Sequence, residues 1–426
     1  MNRYNRTPKN VKALLGALAV ATLAAACGTS AGTTSNTTSA SGGFSGSVTI
    51  GESTTLSGAI AELGQTGLQG VELAASDINA KGGLLGKKVT VVSADDGVSP
   101  STGASNARSM ILNDHVVALF GPVVSSIAVA EEAIAAQYKI PIFFHTSNDV
   151  GLLTKDYTKY AFQVVPNTIM EPRAAAAYLA KEVGSQQITI GTFAPDYSFG
   201  HDTVSGFLQA LTDLHVNFKL VAQQFPPLTA TNIAPYLSAL IAASPQYVFN
   251  AQFGGDLVNF TQQANQVGFF SKTKVIAMYS AAPLAALGSS APAGAIGFDR
   301  APYWAINTPA MTAFDTEFKA KYGSYPSAWA IMAYTAVQAW AQGVRSAKSF
   351  AGDPVSNALS GATVSTIRGP LTLRACDHQA NVPEYVGTVA SSTNPTYGQT
   401  LWDPTVFVAP PSTIMLTCAE SLALRG

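Results

Sequence analysis

Asp95 and Asp96 stand side by side at the end of an apolar run, and adjacent carboxylates are the raw material of a cation site or an acid–base pair. A cation needs further ligands, and neither a clustered histidine nor a third acid accompanies them. A capping or loop role is therefore expected. The five histidines, His115, His145, His201, His215 and His378, share no ligand spacing, and no metal is expected. His145 alone follows a strand toward a cleft, where hydrogen bonding is a better reading than catalysis. Asp377-His378 beside Cys376 has no supporting group and reads as structural. The string Gly28-Thr29-Ser30-Ala31-Gly32 fits the G-x-S-x-G nucleophile elbow, which requires a strand before the serine and a helix after it. It has neither. Gly64, Gly67 and Gly70 recur every three residues without the G-x-G-x-x-G phosphate pattern, so close packing at a helix start is expected. Ser126 and His145 could supply the nucleophile and base of a hydrolase, but no third, orienting group can be named. Neither catalytic residues nor a cofactor are expected.

The chain that must position these residues has 426 residues, 47% hydrophobic and only 12% charged, against roughly a quarter charged in an average soluble domain. Its formal charge is −1, but Arg3, Arg6, Lys9 and Lys12 fall in the first 26 residues with no acid, leaving an acidic body. Such a body has no basic stripe for phosphate backbones, which argues against a nucleic-acid partner. The four cations precede the apolar run Ala13 to Ala26, which ends at Cys27. That is signal-peptide architecture, and the run is too short to span a hydrocarbon layer about 30 Å thick. A cysteine directly after small residues resembles the bacterial lipobox, with Ala24 in place of the usual leucine. Residues 1–26 are thus expected to be a lipoprotein signal peptide and Cys27 the lipidated residue. Residues 27–47, nearly all Ser, Thr, Gly and Ala, read as a flexible tether. The two remaining cysteines, Cys376 and Cys418, are expected to form a disulfide outside the reducing cytosol.

From Val48 onward, short β-branched runs alternate with helix-length segments. Strands are predicted at Val48–Glu52, Lys88–Ser93, Val116–Phe120 and Ile140–Phe144, and helices at Gly67–Lys81, Ser99–Asp114 and Ile127–Tyr138. The alternation restarts after Val165-Pro166, with strands at Gln187–Phe193, Val216–Gln224, Tyr247–Ala251 and Lys274–Met278. Two α/β sheets in tandem follow from this order. Ligands of such sheets bind beyond the carboxyl ends of the strands. Here those ends carry Ser125 and Ser126, whose hydroxyls add to free helix N–H groups as a seat for a carboxylate or carbonyl oxygen, and His145 to Asp149. The second set, Pro195 to Phe199, Gln252 to Asp256 and Tyr279-Ser280, is rich in aromatics. One polar and one apolar wall suit a small organic molecule with an anionic or amide head.

At Asp77-Ile78-Asn79-Ala80-Lys81-Gly82-Gly83-Leu84-Leu85-Gly86 the sequence resembles the leucine/isoleucine/valine-binding family of extracytoplasmic solute-binding proteins, which serve ATP-driven importers. Asp95-Asp96, Gly121-Pro122 with Ser125-Ser126, Thr146 to Asp149, Asp196 to Gly200, Phe253-Gly254-Gly255 and Arg368-Gly369-Pro370 extend the match in order over about 48–389. The resemblance implies an α/β fold of the type I periplasmic-binding kind: two Rossmann-like lobes with parallel sheets, joined by a three-strand hinge. Lobe 1 would comprise residues 48–165 and 298–369, and lobe 2 residues 166–297 and 370–426. By the same resemblance Ser125, Ser126, Ser147, Asn148 and Asp149 fall where the family holds a ligand's carboxylate and ammonium. Leu63, Tyr197, Phe199, Phe253 and Tyr279 complete the expected ligand-binding set. Where amino-acid-binding members carry an acid for the ammonium, this chain reads Tyr279-Ser280-Ala281-Ala282. Burying an unpaired ammonium is costly. Either Asp149 or Asp256 substitutes, or the ligand is an apolar or aromatic carboxylate or amide. The expectation is a monomeric, lipid-anchored receptor in the cell envelope that hands a small ligand to an ABC-type permease. A ligand sensor feeding a signalling partner, or a lipid-anchored hydrolase, are the alternatives.

Overall fold

The computed structural model describes residues 43–425; the leader, Cys27 and most of the tether lie outside them. The first lobe opens as β1 (Ser47–Thr54), α1 (Ala61–Ala80), β2 (Lys88–Asp95), α2 (Pro100–Leu112), β3 (Leu119–Phe120), α3 (Ser125–Tyr138), β4 (Ile142–Phe144) and β5 (Ala161–Gln163). Its five strands pair in parallel in the order β2-β1-β3-β4-β5. The central strands are apolar on both faces because helices cover both sides, whereas edge strand β2 is mostly half-exposed or exposed.

The second lobe repeats the alternation with α4 (Met170–Val183), β6 (Ile188–Phe193), α5 (Ser198–Asp213), β7 (Phe218–Gln224), α6 (Ala234–Ala243), β8 (Tyr247–Asn250), α7 (Gly254–Gln266), β9 (Lys274–Ala277), α8 (Ala281–Leu287) and β10 (Ile296–Asp299). The chain returns to the first lobe for α9 (Pro309–Tyr322), α10 (Ala328–Ala347), α11 (Gly352–Leu359) and the hairpin β11 (Thr363–Thr366) and β12 (Gly369–Thr372). It ends on the second with β13 (Glu384–Asn394), β14 (Gln399–Trp402), β15 (Phe407–Ala409), α12 (Pro411–Ile414) and α13 (Cys418–Ala423). The second sheet runs β14-β13-β10-β9-β8-β6-β7, with β15 also on β13. It is parallel from β7 to β10 and antiparallel beyond.

Helix α1 starts at Ala61, six residues before the predicted Gly67, so the glycine triplet lies inside it. A Cβ on Gly64 would sit 1.9 Å from the Thr55 carbonyl oxygen, and one on Gly70 2.2 Å from that of Ala330 in α10. Glycine's weak helix propensity, about 1 kcal/mol per residue, is overruled here by close backbone approach. The opposing helix α10 is buried along most of its length, with Trp340 wholly enclosed.

Three segments cross between the lobes: residues 164–169, 300–302 and 373–383. Two single bridges lie beside them, Gln163 at the end of β5 with Gln379 of the third crossing, and Leu373 with Ala380 inside that crossing. Side chains lace them together instead. Arg368 Nη1 donates to the Val164 carbonyl (3.1 Å) and Nη2 to that of Arg300 (2.8 Å), while Gln379 Nε2 donates to that of Val165 (2.8 Å). Strand β10 stays hydrogen-bonded to β13 through Asp299, so the second crossing begins at Arg300 rather than at 298. The third begins at Leu373 rather than at 370, because β12 remains paired with β11.

A disulfide joins Cys376 to Cys418. It fastens α13 to the third crossing, where Ser421 Oγ donates to Asp377 (2.8 Å) and the Arg425 guanidinium lies 3.4 Å from the Tyr157 ring centroid. No helix among the described residues is long and apolar enough to cross a membrane.

Candidate ligand-binding cleft

The carboxyl ends of both parallel sheets face one cleft, whose walls close on a narrow cavity. Most of its wall comes from helix starts. Leu63 is the third residue of α1, Ser125 the first of α3, Phe199 the second of α5 and Trp329 the second of α10, while Tyr197 and Phe253 immediately precede α5 and α7. Val123, Thr146 and Asn148 come from loops after β3 and β4, and Arg300 from the second crossing. Free N–H groups and aligned peptide dipoles at five helix starts make such a place favourable for negative charge.

The apolar wall is a packed aromatic set. Phe199 meets Phe253 edge to face at 5.5 Å and lies 5.8 Å from Tyr197. The lobes touch beside it. Gly254, at φ +51°, would place a Cβ 2.6 Å from Leu63 Cδ1, and a Cβ on Gly255 would lie 2.4 Å from the Ala59 carbonyl oxygen. Only glycine permits that approach.

Arg300 anchors the polar wall. Its Nε donates to Glu171 and its Nη1 to the Thr146 carbonyl, and the guanidinium lies 5.1 Å from the Trp329 ring centroid. Asn148 Nδ2 donates to the second Glu171 oxygen (2.9 Å) and to the Pro166 carbonyl (3.0 Å). Nearby, burial pushes the Asp299 carboxyl up to about 7 and raises Glu384 well above its ordinary value.

The expected site residues divide accordingly. Leu63, Ser125, Asn148, Tyr197, Phe199 and Phe253 line the cavity. Ser126 points to solvent, because adjacent residues on a helix diverge by about 100° and Ser125 takes the inward direction. Ser147 Oγ donates to the Pro122 carbonyl (2.7 Å), and Asp149 Oδ1 accepts from the Gly151 N–H (2.8 Å), so both are used in holding their loop. Tyr279 lies in the second-lobe core with its hydroxyl 3.2 Å from Thr261 Oγ1. Asp256 Oδ2 accepts from the Thr229 N–H (2.7 Å). Arg300, Trp329, Val123 and Thr146 were absent from the expected set; an Asp299-Arg300 pair directly after an apolar run in a charge-poor chain was the available signal.

The residues with apparent catalytic potential are committed elsewhere. Asp95 Oδ1 accepts from the Leu56 and Gly97 N–H groups, and Asp96 Oδ1 from Thr55 Oγ1 and the Val98 N–H. His145 is enclosed between Glu52 and Thr146, with no hydrogen bond to Ser126. Larger hollows lie in the second lobe at the amino ends of β8 and β9, open to solvent and far from the strand ends that face the cleft.

A sequence profile of the periplasmic binding protein family matches residues 47–394. The chain belongs to that family. This periplasmic binding protein is 26% identical over 328 residues to Leu/Ile/Val-binding protein homolog 8 of Brucella abortus, covering 73% of this chain and 79% of the relative. It superposes on a periplasmic binding protein from Burkholderia mallei with a TM-score of 0.80 at 22% identity, over 89% of this chain and 99% of the other. An ABC-transporter solute-binding protein from Rhodopseudomonas palustris, solved with 3,4-dihydroxybenzoic acid, gives 0.76 at 21% identity over 85% and 98%. The periplasmic binding protein described here is thus a two-lobed, non-catalytic receptor for a small ligand.

In this binding protein the lobes also meet through two acids. Asp202 of α5 is held up at about 6, first by burial and then by Asp149 of the other lobe, against the lesser pull of Lys155 and His201. In the unfolded chain Asp202 ionises near 3.8 but in the folded protein only near 6, so burial and Asp149 penalise folding fully above pH 6 and cease to do so below about 3.8. Asp202→Asn is therefore expected to raise the melting temperature at pH 8, to raise it less at pH 5 and to leave it unchanged at pH 3. An equal shift at pH 8 and pH 3 would show that the Asp202 carboxyl titrates alike in the folded and unfolded chain.

Proposed function

We propose that this protein captures a small molecule with an apolar or aromatic body and a single carboxylate or amide head, without an ammonium group, and carries it to an ABC-type permease. The carrying observation is the absence of a free acid on the cleft wall among the described residues, together with the aromatic set opposite Ser125. Asp149 and Asp256 accept backbone N–H groups, and Glu171 is engaged by Arg300 and Asn148. An ammonium buried here would lack a counter-charge. The Brucella relative bears Leu/Ile/Val in its name and the Rhodopseudomonas protein holds a dihydroxybenzoic acid, so the fold accommodates both chemistries and the wall must choose. The reading includes export through the leader at residues 1–26 and membrane attachment through lipid on Cys27.

A thermal-shift screen tests the ligand class. Benzoate and hydroxybenzoates are expected to raise the melting temperature, and leucine, isoleucine and valine to leave it unchanged; the reverse would sink the proposal. Phe253→Ala should then weaken binding of the best aromatic acid by roughly tenfold to a hundredfold, the equivalent of about 1.5–3 kcal/mol of buried aromatic surface. Calorimetry reads the loss, and an affinity within twofold of wild type would remove Phe253 from the site.

A further inference from the structure

Arg300 is the one cation on the cavity wall, and three fixed partners hold it still: Glu171, the Thr146 carbonyl and the face of Trp329. Those partners come from different lobes, Glu171 from α4 of the second and Thr146 and Trp329 from the first. A guanidinium has five N–H donors in a rigid fork. Here Nε and Nη1 are used, and Nη2 has no acceptor among the described residues. The side chain is only 3% exposed, and what remains accessible opens on the cavity. Ser125, the first residue of α3, opens on the same cavity, with no acceptor recorded among the described residues for its own backbone N–H. Glu171 does not line the cavity, and both of its oxygens accept hydrogen bonds from Arg300 and Asn148. The acid therefore orients the guanidinium without competing for a ligand.

Resting on the function proposed above, the structure assigns Arg300 as the head-group anchor, with Nη2 and the start of α3 gripping a carboxylate and thereby selecting the anion over the isosteric amide. An amide presents an NH₂ group where the fork and the helix start both need an acceptor, so one donor would face another donor. The guanidinium is ordered before the ligand arrives, which removes part of the entropic penalty of binding. Because Arg300 already spans a residue of each lobe at the hinge, a head group docked on it bears on the element that turns when the lobes close.

The test uses calorimetry with benzoate, benzamide and L-leucine. Arg300→Ala alone would strand Glu171, so the principal variant is the neutral pair Arg300→Gln with Glu171→Gln, and Arg300→Lys is the second. Wild type should bind benzoate at least tenfold more tightly than benzamide. The double variant, checked by its melting curve, should lose thirtyfold or more for benzoate and bind the two probes within threefold of each other. Arg300→Lys, which keeps the charge but not the fork, should fall between. A double variant that retains the tenfold preference overturns the assignment, as does a wild type that binds both probes equally, a comparison that needs no variant to fold. Wild type binding leucine more tightly than benzoate, or binding none of the probes, instead overturns the ligand class on which the assignment rests.

Discussion

Glu171→Ala is expected to lower the unfolding free energy by about 3–5 kcal/mol, the usual consequence of stranding a buried charge. Arg300 is almost wholly enclosed, and Glu171 is its only ion-pair partner among the described residues. Alanine would leave a guanidinium against Trp329 with one carbonyl for company and would also free the Asn148 amide, which holds the loop after β4. Against a typical total of roughly 5–15 kcal/mol, that is a large fraction of the stability. Glu171→Gln should lose clearly less, since it keeps the shape and one acceptor. Urea denaturation of both variants decides the matter. A loss below 1 kcal/mol for alanine would mean that water reaches Arg300 in the folded protein.

The second large effect is expected in the tail. Replacing Cys376 and Cys418 together by serine opens a loop closed over a sequence separation of 42, for which the chain-entropy model gives about 4 kcal/mol. The loss should be concentrated at the carboxyl end. Asp377 accepts from Ser421 of α13, and Arg425 just beyond α13 covers Tyr157, so these contacts depend on α13 staying where the disulfide puts it. Hydrogen exchange in the serine double variant should rise first in α13 and in residues 373–383, with the two parallel sheets still protected. Unchanged stability under oxidising conditions would show that those polar contacts hold the tail unaided.

Much of this was readable from residue pattern because the determinants are local. Apolar strand runs and the helices between them give the two sheets, and strand ends that enter helices give the cleft. The same logic brought Ser125, Tyr197, Phe199 and Phe253 together, each at a helix start. What escaped was set at long range. Arg300 meets Glu171 and Thr146 at sequence separations of 129 and 154, and no window around it could reveal that it turns inward. Ser126 and Tyr279 lie off the cavity wall for a subtler reason. The pattern located the right loops, but a rotation of one residue on a helix, or one step at a strand end, decides which side chain faces the cavity. Helix α1 began early because its glycines answer to close backbone neighbours rather than to their own propensity, Gly64 to Thr55 and Gly70 to Ala330 of α10, about 260 residues away.

Trp329 gives the molecule an optical consequence. The protein has four tryptophans, of which Trp340 is sealed in the first-lobe core while Trp304 and Trp402 stack edge to face at 5.4 Å. Trp329 alone of these lines the cavity, directly against the guanidinium. Its emission therefore reports the field of the Arg300–Glu171 ion pair. On the anchoring role proposed for Arg300, an anion settling there adds a negative charge beside the indole, whereas a neutral molecule of the same shape only displaces solvent. The receptor thus carries an intrinsic fluorophore that distinguishes filling the cleft from engaging its charge, without any label being attached.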